Sequence, residues 1–82
     1  MRKNNLSEDE IIDKIKNKIK RIKFKNDTIN KIYDKTFNII NKYSDKSKDE
    51  KIMLTITILE QLIREADISQ DEKNECMNNL NV

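Results

Sequence analysis

The stretch that decides the fold runs from Ser47 to Glu72 and reads SKDEKIMLTITILEQLIREADISQDE. It begins and ends with a tetrapeptide of the form Ser-x-Asp-Glu, which is the pattern of a helix capping box. In such a box the serine hydroxyl accepts a hydrogen bond from the N–H three residues on, and the glutamate accepts one from the serine N–H. The aspartate lies in the first turn, where the helix dipole favours negative charge. The stretch therefore predicts a helix over residues 47–66 and the start of another at Ser69.

The apolar residues within this stretch predict a helix that is buried on more than one face. Its main stripe has helical spacing and consists of Ile52, Ile56, Leu59, Ile63 and Ala66, with Leu62 beside it. Met53, Leu54 and Ile58 point elsewhere on the helical wheel. Leu54 and Ile58 therefore either touch another helix of a bundle or form an exposed apolar patch that binds a partner.

The same tetrapeptide form recurs at Ser7-Glu8-Asp9-Glu10 and predicts the start of the first helix. Leu6 and Ile11 occupy the two positions of a hydrophobic staple, which strengthens this assignment. The amphipathic stripe that follows consists of Ile12, Ile15, Ile19 and Ile22, with Ile11 alongside. Phe24 falls near the opposite side of the wheel, so we expect the first helix to cover residues 7–25 and to end by about Lys25.

A second helix is predicted over residues 27–44, with Asn26 or Asp27 as its cap. Its apolar face consists of Ile29, Ile32, Tyr33, Thr36, Phe37, Ile40 and Tyr43. A rival interpretation joins the first two segments, because the heptad phase of the first stripe continues through the second and is broken only at Asn26. Residues 7–44 would then form one long helix that dimerises.

Ser69 opens a short fourth helix over residues 69–80, with Cys76, Met77 and Leu80 on its apolar face. The 82-residue chain contains no glycine and no proline, so tight turns with positive φ, and with them β-hairpins, are hard to build. Its length suits a single helical domain over residues 1–82. We therefore predict an all-α fold, a small antiparallel bundle of about four helices, with a modest core that a second copy can complete.

The side chains that most catalytic and metal sites need are scarce in this chain. It contains no histidine, which excludes Ser-His and Cys-His nucleophiles, and Cys76 is its one cysteine. Because Cys76 lies on the apolar side of a helix, we expect a buried structural thiol. We expect no metal, no cofactor and no enzymatic activity. The single cysteine and the lack of a signal-peptide core or a membrane-spanning apolar run predict a cytoplasmic protein.

The strongest functional signal is a cluster of positive charge in the first predicted helix. Seven cations and no acid lie between residues 14 and 25, namely Lys14, Lys16, Lys18, Lys20, Arg21, Lys23 and Lys25. On a continuous helix they form two stripes that flank the isoleucines, one of Lys14, Lys18, Arg21 and Lys25 and one of Lys16, Lys20 and Lys23. Such a face suits phosphate backbones, anionic nucleotides, anionic lipids or an acidic protein surface. The alternative is a solvated face in a lysine-rich protein.

Charge is also unevenly distributed along the chain. Residues 1–25 carry nine positive and four negative side chains, whereas residues 51–82 carry three positive and six negative ones. This polarity could equally serve the head-to-tail assembly of several copies.

One further pattern is the order of the last three helices. Asp27-Thr28-Ile29-Asn30-Lys31-Ile32-Tyr33 opens the second predicted helix, and an apolar third helix is followed by a short, acid-capped fourth one. In this layout the chain resembles the cytosolic immunity proteins of pediocin-like bacteriocins, which are small, basic four-helix bundles of Gram-positive bacteria. Phage-encoded inhibitors of bacterial defence systems share the same profile. The resemblance implies a protein that binds its target and does not catalyse a reaction.

We therefore expect a non-catalytic binding or inhibitor module of the immunity, antitoxin or phage anti-defence type, which acts sterically on a protein target. The basic helix would steer association, and Leu54 and Ile58 would supply apolar contact. The alternative is a binder of nucleic acid or of an anionic nucleotide on the basic helix. A second copy of the chain is a further expected partner.

Overall fold

The computed structural model describes residues 6–80 and shows a small all-α bundle. Its four helices are α1 (Glu8–Ile19), α2 (Ile29–Tyr43), α3 (Lys48–Glu65) and α4 (Gln70–Leu80). Backbone N–H of Leu6 donates to the carbonyl oxygen of Tyr43 at 3.2 Å, which places the start of α1 beside the end of α2. The Lys51 Nζ donates to Asn41 Oδ1 at 2.9 Å and so holds the start of α3 beside the end of α2. Both neighbouring pairs, α1–α2 and α2–α3, are thus antiparallel, as predicted.

The three serine caps start their helices as predicted. Ser7 forms the full reciprocal box, because its hydroxyl accepts from the Glu10 N–H at 3.3 Å and its own N–H donates to the Glu10 carboxylate at 3.1 Å. The hydroxyls of Ser47 and Ser69 also accept from the N–H three residues on, at 3.3 and 3.2 Å. In these two caps the donor to the glutamate carboxylate is the serine hydroxyl and not the serine N–H.

The first helix ends six residues earlier than the sequence predicts, and the interpretation of residues 7–44 as one long helix is wrong. Helix α1 ends at Ile19, and residues 20–28 form the connection to α2. A continued helix would carry Phe24 to the side opposite Ile15. Ending the helix early lets the connection fold back, so that the Phe24 ring is buried in the core with only 8% of its surface exposed. Burial of an aromatic ring outweighs the few helical hydrogen bonds that are given up.

The cap of the second helix also differs from the expectation. Helix α2 begins after Thr28, and not after Asn26 or Asp27. The Thr28 hydroxyl accepts from the Lys25 N–H at 3.0 Å and therefore closes the preceding turn. An Asx cap is not needed there, because the Lys25 carbonyl already accepts from the N–H groups of both Thr28 and Ile29.

The core lies around α2, which packs against each of the other three helices, while α3 also packs against α4. It consists of Ile11, Ile15, Ile19, Phe24, Ile29, Ile32, Ile40, Ile58, Leu59, Ile63, Cys76 and Leu80. The predicted faces of the second and fourth helices are confirmed in their main residues. In α1 Ile15 and Ile19 are buried as predicted, but Ile11 is buried as well and Ile12 is only half-buried. The face of α3 is rotated relative to the expectation, because Thr55 and Ile58 are buried whereas Ile52 and Ile56 are only half-buried.

Candidate partner-binding surface

The seven predicted cations are all exposed, but they do not form two continuous helical stripes. Only Lys14, Lys16 and Lys18 lie on α1, because the helix ends at Ile19. The remaining four, from Lys20 to Lys25, lie in the connection to α2. The predicted stripes are therefore wrong beyond the third turn of the helix, and the structure divides six of the seven cations between two separate grooves.

The first groove, which we call the basic groove, lies between α1 and α2 and encloses about 630 Å³. It is lined by Lys14, Asn17, Lys18, Lys35, Asn38, Ile39, Lys42 and Tyr43. Two of its four lysines come from the predicted cluster, and two come from α2. No carboxylate lines the groove within the part of the chain that the structure describes. The lining of the groove is therefore uniformly basic, although the charge of Lys14 also acts on the Glu10 carboxylate outside it.

The Tyr43 ring contacts lysines from both of the helices that line the basic groove. The Nζ of Lys14 lies 5.1 Å from the centre of the Tyr43 ring, and the Nζ of Lys42 lies 5.4 Å from it. A cation over an aromatic face at this distance is stabilised by about 0.5–1 kcal/mol at an exposed site. The ring thus contacts ammonium groups from two different helices. An anion bound in the groove would lower the mutual repulsion of the four lysines that line it.

Lys35 and Lys42 are functional candidates that the sequence reasoning missed. They lie seven residues apart on α2, which places them two helical turns apart on one face, with Asn38 and Ile39 between them. The seven-residue spacing indicates that Lys35 and Lys42 lie on the same face of a helix. However, α2 also carries Asp34, so this segment lacks the uninterrupted series of positive charges found between residues 14 and 25. Only the packing of α1 on α2 brings the two pairs of lysines together.

The second groove, which we call the mixed-charge groove, lies between the α1–α2 connection and the α3–α4 turn and encloses about 800 Å³. One rim carries the cations Lys16, Lys20, Lys23 and Lys25. The other rim carries the acids Glu65, Asp67 and Glu72. Between them lie the buried or half-buried apolar residues Ile19, Ile22, Phe24, Leu62, Ala66 and Ile68. Arg21 is exposed and is not among the lining residues of either groove.

The expectation that Leu54 and Ile58 form an exposed apolar patch is wrong for Ile58. Its side chain is 2% exposed and belongs to the core, because the buried face of α3 is centred on Thr55 and Leu59. Leu54 is half-buried and packs against the same core. Among residues 6–80, Met53 is the large apolar side chain that is exposed, at 69%. A single exposed methionine is ordinary for a protein surface and does not make a patch.

Cys76 is fully buried, and the expected structural thiol is confirmed in its position. Burial raises the pKa of the Cys76 thiol, and the carboxylates of Glu72 and Glu75 raise that pKa further. A thiol with a raised pKa carries little thiolate at neutral pH, so it is a poor nucleophile. Among residues 6–80 no cluster of three potential metal ligands is present. Within the same range no helix combines the length and apolar character needed to cross a bilayer.

Comparison with known proteins identifies no relative: no protein-family model, no curated protein and no solved structure matches this chain. Within residues 6–80 the basic groove is the surface feature that brings four lysines from two helices together.

Proposed function

We propose that this protein is a non-catalytic binding module that blocks a target protein in the cytoplasm by covering part of its surface. The module would be of the immunity, antitoxin or phage anti-defence type. The observation that supports the proposal is the basic groove, in which four lysines from two helices converge. Its partner would therefore present an acidic surface or segment.

The groove fits this task physically because two of its four charges are held in place before the partner arrives. Lys14 and Lys42 are anchored on the Tyr43 ring, and every lining residue lies on a regular helix. Complementary charge accelerates the encounter of two proteins, and a groove on rigid elements lowers the entropy lost on binding. The steric block then follows from the bulk of the bundle and needs no further chemistry.

A second candidate function is the binding of nucleic acid or of an anionic nucleotide in the same groove. The observation that favours it is the presence of Asn17, Asn38 and Tyr43 among the lysines. Amide, phenol and ammonium groups are the usual donors to phosphate oxygens. The groove thus offers hydrogen-bond donors and positive charges that suit phosphate groups as well as carboxylates.

The test compares the parent with a groove variant in which Lys14, Lys18, Lys35 and Lys42 are all changed to Gln. The matched control carries the same charge change at exposed cations outside both grooves, at Arg21, Lys31, Lys46 and Lys48. All three proteins are used as bait in a nuclease-treated extract of a Gram-positive bacterium, and their affinities for polyglutamate and for labelled DNA and RNA are measured by anisotropy. We expect the parent and the control to retain the same protein and the groove variant to lose it.

Salt dependence separates the two candidate functions. If nucleic acid is the ligand, its affinity falls steeply with the logarithm of the salt concentration, and each lost lysine lowers that slope by about one. If a protein is the ligand, capture survives nuclease treatment, and salt acts mainly on the association rate. Equal binding by all three proteins would show that the groove is only a solvated face.

A further inference from the structure

The mixed-charge groove has a feature that the basic groove lacks, which is opposite charge on its two rims. Its basic rim comes from the end of α1 and the connection after it, and its acidic rim comes from the end of α3, the turn after it and the first turn of α4. Within residues 6–80 the structure records no ion pair between the two rims. Their charges therefore face solvent instead of neutralising each other across the groove.

Apolar side chains lie between these rims and remain partly exposed. Ile22, Leu62, Ala66 and Ile68 are half-buried, although they pack against the core. An apolar centre with a charged rim is the usual anatomy of a protein–protein interface. Completing their burial would favour association, because it removes apolar surface from water.

We propose that the mixed-charge groove is a docking surface for a second copy of this chain, related to the first by a two-fold axis that runs along the groove. Such an axis exchanges the two sides of the groove between the copies. The basic rim of each copy then faces the acidic rim of the other, and this pairing occurs twice. A two-fold interface requires a patch that is complementary to itself, and this one has that property.

The charge pattern also explains why the occupant is a second copy and not another partner. A strongly acidic or strongly basic partner would meet one rim favourably and be repelled by the other. The basic groove cannot serve the same purpose, because a second copy would bring four more lysines against the four already there. The polarity of the whole sequence points in the same direction, since residues 1–25 carry nine positive and four negative side chains, whereas residues 51–82 carry three positive and six negative ones. A chain of this length also gains from sharing a core.

The experiment uses charge reversal in each rim, followed by sedimentation equilibrium over a series of concentrations. The basic-rim variant carries Lys20→Glu and Lys23→Glu, and the acidic-rim variant carries Glu65→Lys and Asp67→Lys. Glu72 is left unchanged because it takes part in the Ser69 cap. We expect the parent to dimerise, each variant to be monomeric, and an equimolar mixture of the two variants to dimerise again. A chain that carries all four reversals should form dimers by itself.

The control variant carries Lys35→Glu and Lys42→Glu in the basic groove. It should dimerise like the parent while losing the partner of the proposed function, so the two proposals fail separately. Circular dichroism establishes that every variant is folded. A parent that stays monomeric throughout overturns the proposal. Rim variants that still dimerise, or folded variants whose mixture stays monomeric, overturn it as well.

Discussion

The hydroxyl oxygen of Thr28 lies 2.7 Å from the carbonyl oxygen of Lys23, to which it donates a hydrogen bond. The same hydroxyl accepts from the Lys25 N–H, so one side chain closes the connection between α1 and α2. This closure turns the chain back after Ile19 and keeps Phe24 in the core. It also sets where Lys23 and Lys25 lie, and therefore the shape of the basic rim of the mixed-charge groove.

Replacing Thr28 by Ala should destabilise the protein by about 1 kcal/mol, because the backbone groups of the connection lose their hydrogen-bond partner. Asp27→Ala, one residue away at an exposed position, is the matched control and should change the stability little. Urea denaturation followed by circular dichroism measures both. Equal stability of the two variants would mean that the Thr28 hydroxyl does not hold the connection.

Replacing Ile58 by Ala should cost about 2–5 kcal/mol, since the site is fully packed and a cavity would remain. Met53→Ala is its control on the same helix and should cost little, because the Met53 side chain is mostly in water. In so small a domain the Ile58 variant could be largely unfolded at room temperature. Thermal melts of the two variants give the comparison, and similar melting temperatures would contradict the burial of Ile58.

Replacing Thr36 by Val should stabilise the protein. Thr36 is completely buried, and its hydroxyl has no hydrogen-bond partner within residues 6–80. A buried, unpaired hydroxyl costs about 1–3 kcal/mol, and valine has nearly the same shape without it. Thr55 provides the contrast, because its equally buried hydroxyl donates to the Lys51 carbonyl at 2.7 Å. Thr55→Val should therefore raise the urea midpoint less than Thr36→Val, and the opposite order would refute this account.

Glu10 should make the stability depend on pH in the acid range. Hydrogen bonds from the N–H and the hydroxyl of Ser7 lower the pKa of the Glu10 carboxyl below its usual 4.5. The ionised form therefore favours the folded state, so its stabilisation is fully present above pH 4.5 and is lost as the pH falls through the folded-state pKa. Glu10→Gln should be less stable than the parent at neutral pH and nearly equal to it in strong acid. A constant difference between their melting temperatures across this range would contradict the prediction.

The Cys76 thiol should be protected in the folded protein. We expect a thiol-specific disulfide reagent to react slowly without denaturant and rapidly in urea, because the thiol is buried and its pKa is raised. The same shift implies that stability falls as the pH rises above 9.0, since the thiol of the unfolded chain ionises there first. Reaction at the same rate with and without urea would show that Cys76 is accessible.

The sequence by itself determined the class of fold and the places where three helices begin. A serine cap is a local device, and its hydrogen bonds join residues only three positions apart, so Ser7, Ser47 and Ser69 could be identified without tertiary information. The central residues of the apolar stripes, such as Ile19 and Leu59, were equally accessible, because helical periodicity is local. The basic cluster between Lys14 and Lys25 could be identified for the same reason, because its members are close together in the sequence.

The tertiary structure alone decided the end of the first helix, the buried face of α3 and the composition of the two grooves. Phe24 enters the core only because other helices form a place for it, and that gain stops α1 at Ile19. The two lysine pairs of the basic groove are separated by 17 residues or more in the sequence and meet through the packing of α1 on α2. Such encounters depend on which faces are buried against which, and no local rule encodes that choice.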